Sequence, residues 1–426
     1  MAINKNKKLL MLKNSNYHER SFHQKSILQK LLIKITLLSS FLFVFSLPVK
    51  ANSNEEFYKF LDNFWFSAKK AGIKRDIFVK AFTGIKLDAE VKKAQKNQPE
   101  FVTPVWSYIE RAVSAKRLEF GKKELEERAD ILRQIENKYG VEKQILLAIW
   151  GLESTFGRNK GKKDVIKSLA TMAFRGKRTK YGRKQLIAAL KIIQRGDISL
   201  DEFKGSWAGA MGHTQFIPVT YNHYAVDFTG DGKRDIWNSV SDALASTANY
   251  LKRAGWQTGK TWGYEVQVPK GYDYYRSGRG IKKTIRQWQK YGIKRVNGRQ
   301  FPRPDDVAEL IVPAGANGPA FLVLKNFRVI MRYNVSVSYA LAVGHLGDRL
   351  LGYGPFIRPW PKSDRKLKYV EQKELQRLLA RKGYKIGKID GKIGKGTRRA
   401  LRRFQRSNGL PADGYPNYAV LEKLRQ

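Results

Sequence analysis

The first half of the chain carries apolar residues at every third or fourth position, a spacing that predicts amphipathic helices. The pattern is clear in FYKFLDNFWFSAKKAGI, which starts at Phe57, and in ELEERADILRQIENKYG, which ends at Gly140. It continues through VEKQILLAIWGLESTF, RKQLIAALKIIQRGDI and SDALASTANYLKRAGW. Glycine and aromatic residues interrupt it between Gly205 and Tyr224, where we expect a loop with short helical pieces.

A different pattern begins at Trp262 and extends to Tyr333. Short β-prone runs such as YEVQVP, AELIVP and AFLVL are separated by glycine and proline, and they predict a small sheet. The segment from Gly352 to Lys366 has three prolines and no periodicity, which is typical of a linker. The chain after it is short but able to fold alone. We therefore predict a mainly α protein of the α+β type, with a main domain over 52–353, a linker over 354–366 and a small domain over 367–426.

Composition narrows the class of partner. The chain has 426 residues, 42% of them hydrophobic, so it can bury a sizeable core. Its 82 Lys and Arg residues exceed its 37 acidic residues by 45, which favours a polyanionic partner such as nucleic acid, anionic lipid or an acidic cell-wall polymer. The chain has no cysteine, which excludes thiolate nucleophiles, disulfides and cysteine-based metal sites.

The N-terminus predicts export. A Lys-rich opening precedes the apolar run ITLLSSFLFVFSL, and Val49 and Ala51 then occupy the small-residue positions of a cleavage site. We expect a signal peptide over residues 1–51; the alternative is an uncleaved anchor. Because no cysteine follows the cut, the mature chain is not expected to be a lipoprotein. A location outside the cytoplasm argues against nucleic acid as the partner.

One carboxylate interrupts the apolar pattern of IWGLESTFG. On a helix that starts near Val141, Glu153 lies on the edge of an apolar stripe formed by Ile145, Leu146, Ile149 and Leu152. A carboxyl group held against apolar neighbours resists ionisation, so its pKa rises and it can act as a general acid. The alternative is an ordinary glutamate at a helix end, paired with one of the many cations.

The segment GSWAGAMGHTQFIPVTY, from Gly205 to Tyr221, mixes small residues, hydrogen-bonding groups and aromatic rings, a composition suited to close approach to a ligand. Together, AIWGLESTFG, SWAGAMGHTQFIPVTY, DFTGDGKRDIWNSVSDALASTANYLKRAGW and RYNVSVSYALAVGHLG closely resemble the membrane-bound lytic transglycosylase B family of peptidoglycan-cleaving enzymes. The resemblance covers roughly Phe57 to Leu351. It implies a lysozyme-like helical core and a periplasmic enzyme that cuts the β-1,4 bond between N-acetylmuramic acid and N-acetylglucosamine without water, leaving a 1,6-anhydro end.

The resemblance also implies roles for individual residues. Glu153 is expected to be the single general acid/base, and Ser206 to orient it or to assist the substrate's acetamido group. The expected substrate-binding residues are Gln215, Phe216, Tyr250, Tyr333, Tyr339 and Tyr108. Two alternatives remain open: a hydrolytic lysozyme that places water where the C6 hydroxyl would attack, and a catalytically silent wall-binding scaffold.

A metal site is a further expectation. DFTGDGKRDIWN resembles an EF-hand loop with Gly232 at the sharp turn, although Asn238 replaces the usual bidentate glutamate. Some members of the resembling family bind calcium here, which implies the ligands Asp227, Thr229, Asp231, Lys233 through its carbonyl, and Asp242. The role would be structural, with no cofactor required for catalysis, and the alternative is a metal-free turn.

The C-terminal segment resembles the peptidoglycan-binding domain of wall enzymes, through Leu375-Gln376, Ile389-Asp390-Gly391, Thr397 and Phe404-Gln405 among others. We expect a small three-helix module that binds glycan strands. Its arginines from Arg398 to Arg406 have helical spacing and are predicted to form a solvated face; the alternative is a nucleic-acid contact. We expect a monomer that binds peptidoglycan and no nucleic acid, with other cell-wall enzymes as candidate partners.

Overall fold

Helices form most of the protein in the computed structural model, which describes residues 53–96 and 103–426. The predicted leader over 1–51 lies outside the described residues. The helices of the described part, numbered in chain order, are α1 Ser53–Lys70, α2 Arg75–Phe82, α3 Ala89–Lys96, α4 Val105–Ala112, α5 Ala115–Glu127, α6 Ala129–Tyr139, α7 Lys143–Ser154, α8 Val165–Phe174, α9 Thr179–Arg195, α10 Pro218–Tyr224, α11 Val240–Arg253, α12 Ile285–Lys290, α13 Lys325–Tyr333, α14 Val337–Leu350, α15 Tyr369–Arg381, α16 Lys395–Ser407 and α17 Tyr418–Arg425.

Within the described residues, the strands form two antiparallel sheets. They are β1 Lys163–Asp164, β2 Lys204–Gly205, β3 Gly263–Gln267, β4 Lys283–Thr284, β5 Lys294–Arg295, β6 Val307–Ile311 and β7 Ala320–Val323. Strands β1 and β2 pair with each other, and the other five form a sheet in the order β4-β6-β7-β3-β5. The three predicted β-prone runs correspond to β3, β6 and β7, so the prediction of a mainly α chain with a small sheet is confirmed.

Two hydrophobic clusters fill the helical part of the described chain. The first surrounds α7 and α14, and the second lies where α8 and α9 pack against α1. Helix α7 is apolar on every side and is buried from Ile145 to Gly151, as expected for a helix at the centre of a core. A third cluster lies on the five-stranded sheet, and a fourth lies inside the C-terminal module.

The segment predicted to be a linker lies along the first cluster. Phe356 and Trp360 pack against that cluster, and the backbone N–H groups of Ile357 and Arg358 both donate to the carboxylate of Glu265, each at 2.8 Å. Among the described residues, no helix combines the length and the apolar character that crossing a membrane requires.

Candidate active site

Glu153 lies in the last turn of α7, where the chain reverses sharply. Thr155 and Phe156 have φ angles of 52° and 56°, in the left-handed region. This conformation costs a residue other than glycine about 1–2 kcal/mol. The reversal folds the Phe156 ring back over Gly151, where an added Cβ would lie 2.6 Å from the ring, so the motif needs glycine at that position. The end of the helix is therefore held in one conformation.

The hydroxyl of Tyr339 in α14 donates a hydrogen bond to Oε1 of Glu153 at 2.7 Å. Glu153 is half-buried and Tyr339 is buried. Burial, together with the nearby charge of Glu153, holds the pKa of both Tyr339 and Tyr333 well above the usual range. Both phenols therefore stay protonated, and the proton of Tyr339 is the one donated to the carboxyl group.

The glycine-rich loop is fastened to the end of α7. Ser154 donates through Oγ to the carbonyl of His213 at 2.5 Å, and Trp150 donates through Nε1 to Nδ1 of His213 at 3.0 Å. Burial, reinforced by nearby cations, lowers the pKa of His213 to about 4, so the imidazole is neutral and can accept this bond near neutral pH. Strand β1 also pairs with β2, which joins the segment after Glu153 to the start of the loop.

The two polar residues predicted in this loop have different surroundings. The Oγ atom of Ser206 accepts from the N–H groups of Ala208 and Ala210, at 3.3 and 3.0 Å, and so orders its own loop. Gln215 donates through Nε2 to the carbonyls of Lys160 and Gly212, at 3.1 and 2.8 Å. The φ angle of Gln215 is 54°, so this residue is in the left-handed region as well. In the described chain, the three non-glycine residues with positive φ all lie beside Glu153 or in this loop, and backbone strain of this kind clusters at functional sites.

The predicted aromatic residues form a contact network. The ring centroids of Phe216, Tyr250 and Tyr333 lie between 5.3 and 6.1 Å apart. Phe216 is buried, and the Tyr250 hydroxyl donates to the carbonyl of Arg332 at 2.7 Å. Tyr333 donates to the carbonyl of Thr214 and is half-buried.

Tyr108 in α4 is half-buried, and its phenol is close enough to Tyr339 to help raise the pKa of that residue. Among the predicted residues, Tyr339 is hydrogen-bonded to Glu153, and Tyr333 lies close enough for the charge of Glu153 to raise its pKa. Phe216 and Tyr250 contact the ring of Tyr333. Ser206 and Gln215 make their hydrogen bonds with the backbone of the glycine-rich loop and of Lys160, and the loop in turn is bonded to the end of α7. Their chemical roles remain predictions.

Sequence reasoning missed four residues that support this site. Ser154, Trp150 and His213 make the bonds between helix and loop described above. Arg117 of α5 donates through Nε to the carbonyl of Gly151 at 3.0 Å, at the end of α7. His213 was within reach of sequence reasoning because it lies inside the glycine-rich motif; nothing in the sequence near Arg117 indicates its partner.

The candidate metal residues form a separate cluster. Carboxylate oxygens of Asp227, Asp231 and Asp242 lie within 4.8 Å of one another. Asp242 is fully buried, and burial together with Asp227 raises its pKa. Thr229 donates through Oγ1 to Asp227 at 3.3 Å, and the N–H of Lys233 donates to Asp231 at 2.9 Å, which keeps the whole predicted set in one loop. Three converging carboxylates suit the oxygen-rich coordination that calcium prefers.

Comparison with known proteins identifies two families in this chain. A family model described as a transglycosylase SLT domain matches residues 56–348, and one described as a peptidoglycan binding domain matches residues 370–424. A curated protein, membrane-bound lytic murein transglycosylase B of Escherichia coli (strain K12), is 34% identical over 225 residues. That match covers 51% of this chain, and the chain spans 60% of the length of that relative.

Solved structures are also similar. SltB3 from Pseudomonas aeruginosa, in complex with NAG-anhNAM-pentapeptide, has 48% identity and a TM-score of 0.85, covering 87% of this chain and 99% of that chain. The Escherichia coli lytic transglycosylase Slt35, in complex with calcium, has 29% identity and a TM-score of 0.59, covering 70% of this chain and 93% of that chain. The predicted lysozyme-like helical core and the small C-terminal helical module are confirmed.

Proposed function

This chain belongs to the transglycosylase SLT domain family, as its motifs predict, and from that premise we propose that it cleaves the β-1,4 bond between N-acetylmuramic acid and N-acetylglucosamine in peptidoglycan. Cleavage proceeds without water and leaves a 1,6-anhydro end, and Glu153 is the single general acid/base. The observation that carries the proposal is the hydrogen bond from Tyr339 to Glu153, which fixes the carboxyl group at the end of a rigid helix.

One carboxyl group is sufficient for this reaction. Protonated Glu153 gives its proton to the glycosidic oxygen as the bond to C1 of the muramic acid breaks, and the acetamido group stabilises the electron-deficient centre. The carboxylate then takes the proton of the C6 hydroxyl while that oxygen forms its bond to C1. The enzyme ends in its starting protonation state, and no water is consumed.

The neighbouring residues have roles that fit their contacts. Ser206 accepts two backbone bonds and keeps its hydroxyl hydrogen, which can be donated to the acetamido group or to Glu153. Gln215 keeps the loop against the segment after Glu153 through the carbonyl of Lys160. Tyr333 and Tyr339 act beside the carboxyl group, whereas Phe216 and Tyr250 set the position of Tyr333. Tyr108, which lies on α4, is the remaining proposed substrate-binding residue.

Product analysis tests the reaction type. Digested peptidoglycan should contain glycan ends with 1,6-anhydromuramic acid, which mass spectrometry distinguishes by the missing water. Reducing-end muramic acid as the main product would instead assign a hydrolytic lysozyme and refute the lyase.

Substitution of Glu153 by Gln tests the acid/base role. Because general acid–base catalysis contributes about 10² to 10⁴ in rate, the variant should lose activity by about that factor in a wall-clearing assay while still binding the wall. Equal clearing by the variant and the parent would support the wall-binding scaffold and end the proposal.

We also propose that the loop from Asp227 to Asp242 holds a structural calcium ion. The ligands would be the carboxylates of Asp227, Asp231 and Asp242, the hydroxyl of Thr229 and the carbonyl of Lys233. The proposal is supported by the convergence of the three carboxylates and by the calcium complex of Slt35, whose fold is similar. The ion would supply stability and no catalytic step.

The remaining proposals concern location and organisation. We propose a periplasmic enzyme exported by a signal peptide over 1–51 and without a lipid anchor. Its catalytic domain spans 52–353, and a segment over 354–366 leads to a peptidoglycan-binding domain over 367–426. The matched ranges 56–348 and 370–424 support this division. It acts as a monomer on glycan strands, with other cell-wall enzymes as candidate partners.

A further inference from the structure

A large cavity lies at the ends of α7 and α14 that are far from Glu153. It has a volume of about 850 Å³ and is lined by Gln144 at the start of α7 and by His345 and Asp348 near the end of α14. Because an α-helix rises 1.5 Å per residue, Gln144 lies about 13 Å along α7 from Glu153. The two helices that meet at the hydrogen bond from Tyr339 to Glu153 therefore also build this cavity.

The floor of the cavity holds two polar side chains with spare hydrogen-bonding capacity. Trp262 donates through Nε1 to Oδ2 of Asp348 at 3.0 Å, and His345, which is only 5% exposed, stacks on Phe356 with ring centroids 3.8 Å apart. Hydrogen bonds among the described residues use one oxygen of Asp348 and neither ring nitrogen of His345. Burial raises the pKa of Asp348 to about 7 and lowers that of His345 to about 4, so the floor carries little charge between these values.

One side of the rim is apolar and exposed. Leu351, Tyr353 and Ile357 all line the cavity, and their exposed fractions are 45%, 60% and 59%. Large apolar side chains that cluster at the mouth of a cavity mark a binding surface more often than isolated ones do. This side of the rim suits methyl groups or other small apolar parts of a ligand.

Another part of the cavity lining is cationic. Arg295, Arg299 and Arg303 come from one segment of nine residues and all line the cavity. Arg303 donates through Nη1 to the carbonyl of Gly259 at 2.8 Å, and Arg295 through Nη1 to that of Gln300 at 3.1 Å. Since a guanidinium group has five N–H donors, most of them remain for a ligand.

Other carboxylates of the cavity wall already have partners. Glu142 accepts from the indole of Trp256 and from the N–H of Gly259, and Glu265 accepts from the two backbone groups described above. Asp306, which also lines the cavity, pairs with Lys260 at 2.6 Å. The acceptor oxygens of these carboxylates are thus occupied by groups of the protein. The open face of the cavity consequently combines free cationic donors, an apolar edge and a polar floor with little charge.

We propose that this cavity binds an acidic peptide, namely the stem peptide that peptidoglycan carries on muramic acid. The inference rests on the proposed function, because it assigns a second part of the same substrate. Carboxylates of the peptide would bind the three arginines, its methyl groups would contact the apolar rim, and its amide groups would reach Asp348 and His345. Where the lactyl carboxyl group of muramic acid is amidated by the peptide, the sugars carry no charge, and the carboxylates of the peptide are the counter-charges that the substrate offers to the arginines. An extended pentapeptide spans up to about 17 Å, more than the length of α7 between Gln144 and Glu153.

The test measures binding of two soluble probes to the full chain by calorimetry: the sugar-free pentapeptide and the peptide-free NAG-NAM disaccharide. Gly354→Trp should close the mouth of the cavity, because Gly354 lines it, has an ordinary φ and has no atom within 4 Å of an added Cβ. We expect the parent to bind the pentapeptide and this variant to bind it at least about tenfold more weakly.

Arg299→Ala is the second variant and removes one charged donor without adding bulk, so it should also weaken pentapeptide binding about tenfold. Arg133→Ala, an exposed arginine of α6 that pairs with Asp130, is the control and should bind as the parent does. Thermal melting checks that each variant folds. Pentapeptide binding that is absent in the parent, or unchanged in folded Gly354→Trp and Arg299→Ala, would overturn the inference, as would disaccharide binding that Gly354→Trp blocks. These outcomes are independent of product analysis, which alone decides the proposed cleavage.

Discussion

At the scale of single residues, the hydroxyl of Tyr339 is the group most directly coupled to Glu153. Tyr339→Phe keeps the ring that packs in the core and removes only the O–H that donates to Oε1. The carboxyl group then loses the bond that orients it, and the carboxylate that forms when Glu153 gives up its proton loses a charge-assisted hydrogen bond. Such a bond contributes about 1.5–3 kcal/mol, so we expect kcat to fall about 10- to 100-fold. KM should change less. Steady-state release of glycan products measures both constants.

Tyr250→Phe is the matched control for this prediction. Its hydroxyl donates to the carbonyl of Arg332, and its ring contacts that of Tyr333, with the centroids 5.3 Å apart. We expect a small effect on kcat, because the ring contacts survive. A Tyr250→Phe enzyme as impaired as Tyr339→Phe would mean that the whole aromatic network, rather than the bond to Glu153, sets the rate.

The sequence predicted the place of Glu153 but not its neighbours. Periodicity was sufficient to put this carboxylate at the edge of an apolar helix, because that helix is formed by local pattern. Tyr339 lies 186 residues away, so only the fold brings its hydroxyl to Oε1. The bond from Trp150 to His213 spans 63 residues, so the glycine-rich motif can draw attention to His213 but cannot indicate its partner.

At the scale of elements, the end of α7 stores strain that a substitution can release. Thr155 is β-branched and has φ 52° and ψ 52°, a conformation that glycine adopts without cost. Thr155→Gly should therefore stabilise the protein by about 1 kcal/mol and raise the melting temperature. If the strain holds Glu153 in place, the same variant should lose activity, which is the usual cost of relaxing a functional site.

Thr83→Gly is the control at another helix end. Thr83 follows α2 with φ −60°, and its hydroxyl donates to the carbonyl of Val79 at 2.7 Å. No strain is relieved there and a hydrogen bond is lost, so the melting temperature should fall. Destabilisation by Thr155→Gly as well would contradict the strain argument.

The loop from Asp227 to Asp242 offers a second prediction at this scale. Calcium that binds only the folded state raises stability by RT ln(1 + [L]/Kd), about 2.7 kcal/mol at a hundred times Kd. The melting temperature should therefore rise with calcium in the parent. Asp231→Asn should abolish most of the rise, because this exposed side chain would still accept the bond from Lys233 but would lose its charge. If the melting temperature of the parent does not change with calcium, the loop is a metal-free turn.

At the scale of the whole molecule, the sequence predicted the fold class but not how its parts contact one another. Helical and strand periodicities are local, and both were confirmed. The arginine-rich face of α16 was predicted to be solvated, and for Arg402 this is wrong. Its guanidinium is half-buried and donates to the carbonyls of Tyr274 and Ser277, at 3.1 and 2.8 Å. The N–H of Ala316 also donates to Asp413 at 2.7 Å, so the C-terminal module lies against the region around the sheet.

The pH dependence of stability depends on three buried groups: His213 beside the end of α7, and His345 and Asp348 near the end of α14. His213 and His345 have pKa values lowered from 6.5 to about 4, so the unfolded chain takes up their protons first and stability falls as pH drops through this window. Asp348 has a pKa raised from 3.8 to about 7, so the folded chain binds its proton first and stability rises as pH drops from 7 to 4. The two histidines lower the free energy of unfolding as the pH drops, and Asp348 raises it. Because the two histidine shifts together exceed that of Asp348, these three groups should make the protein less stable at pH 4 than at pH 7.

Asp348→Asn separates the two effects. The variant lacks the proton uptake that offsets the histidines, so its melting temperature should fall more steeply than that of the parent between pH 7 and 4. At pH 8 it should be the more stable protein, because it no longer buries a charge beside Trp262. All other carboxylates titrate alike in both proteins, and the difference between the two melting curves isolates Asp348. Parallel curves across this range would mean that Asp348 ionises in the folded protein as freely as in water, and the polar floor of the cavity would then be charged at neutral pH.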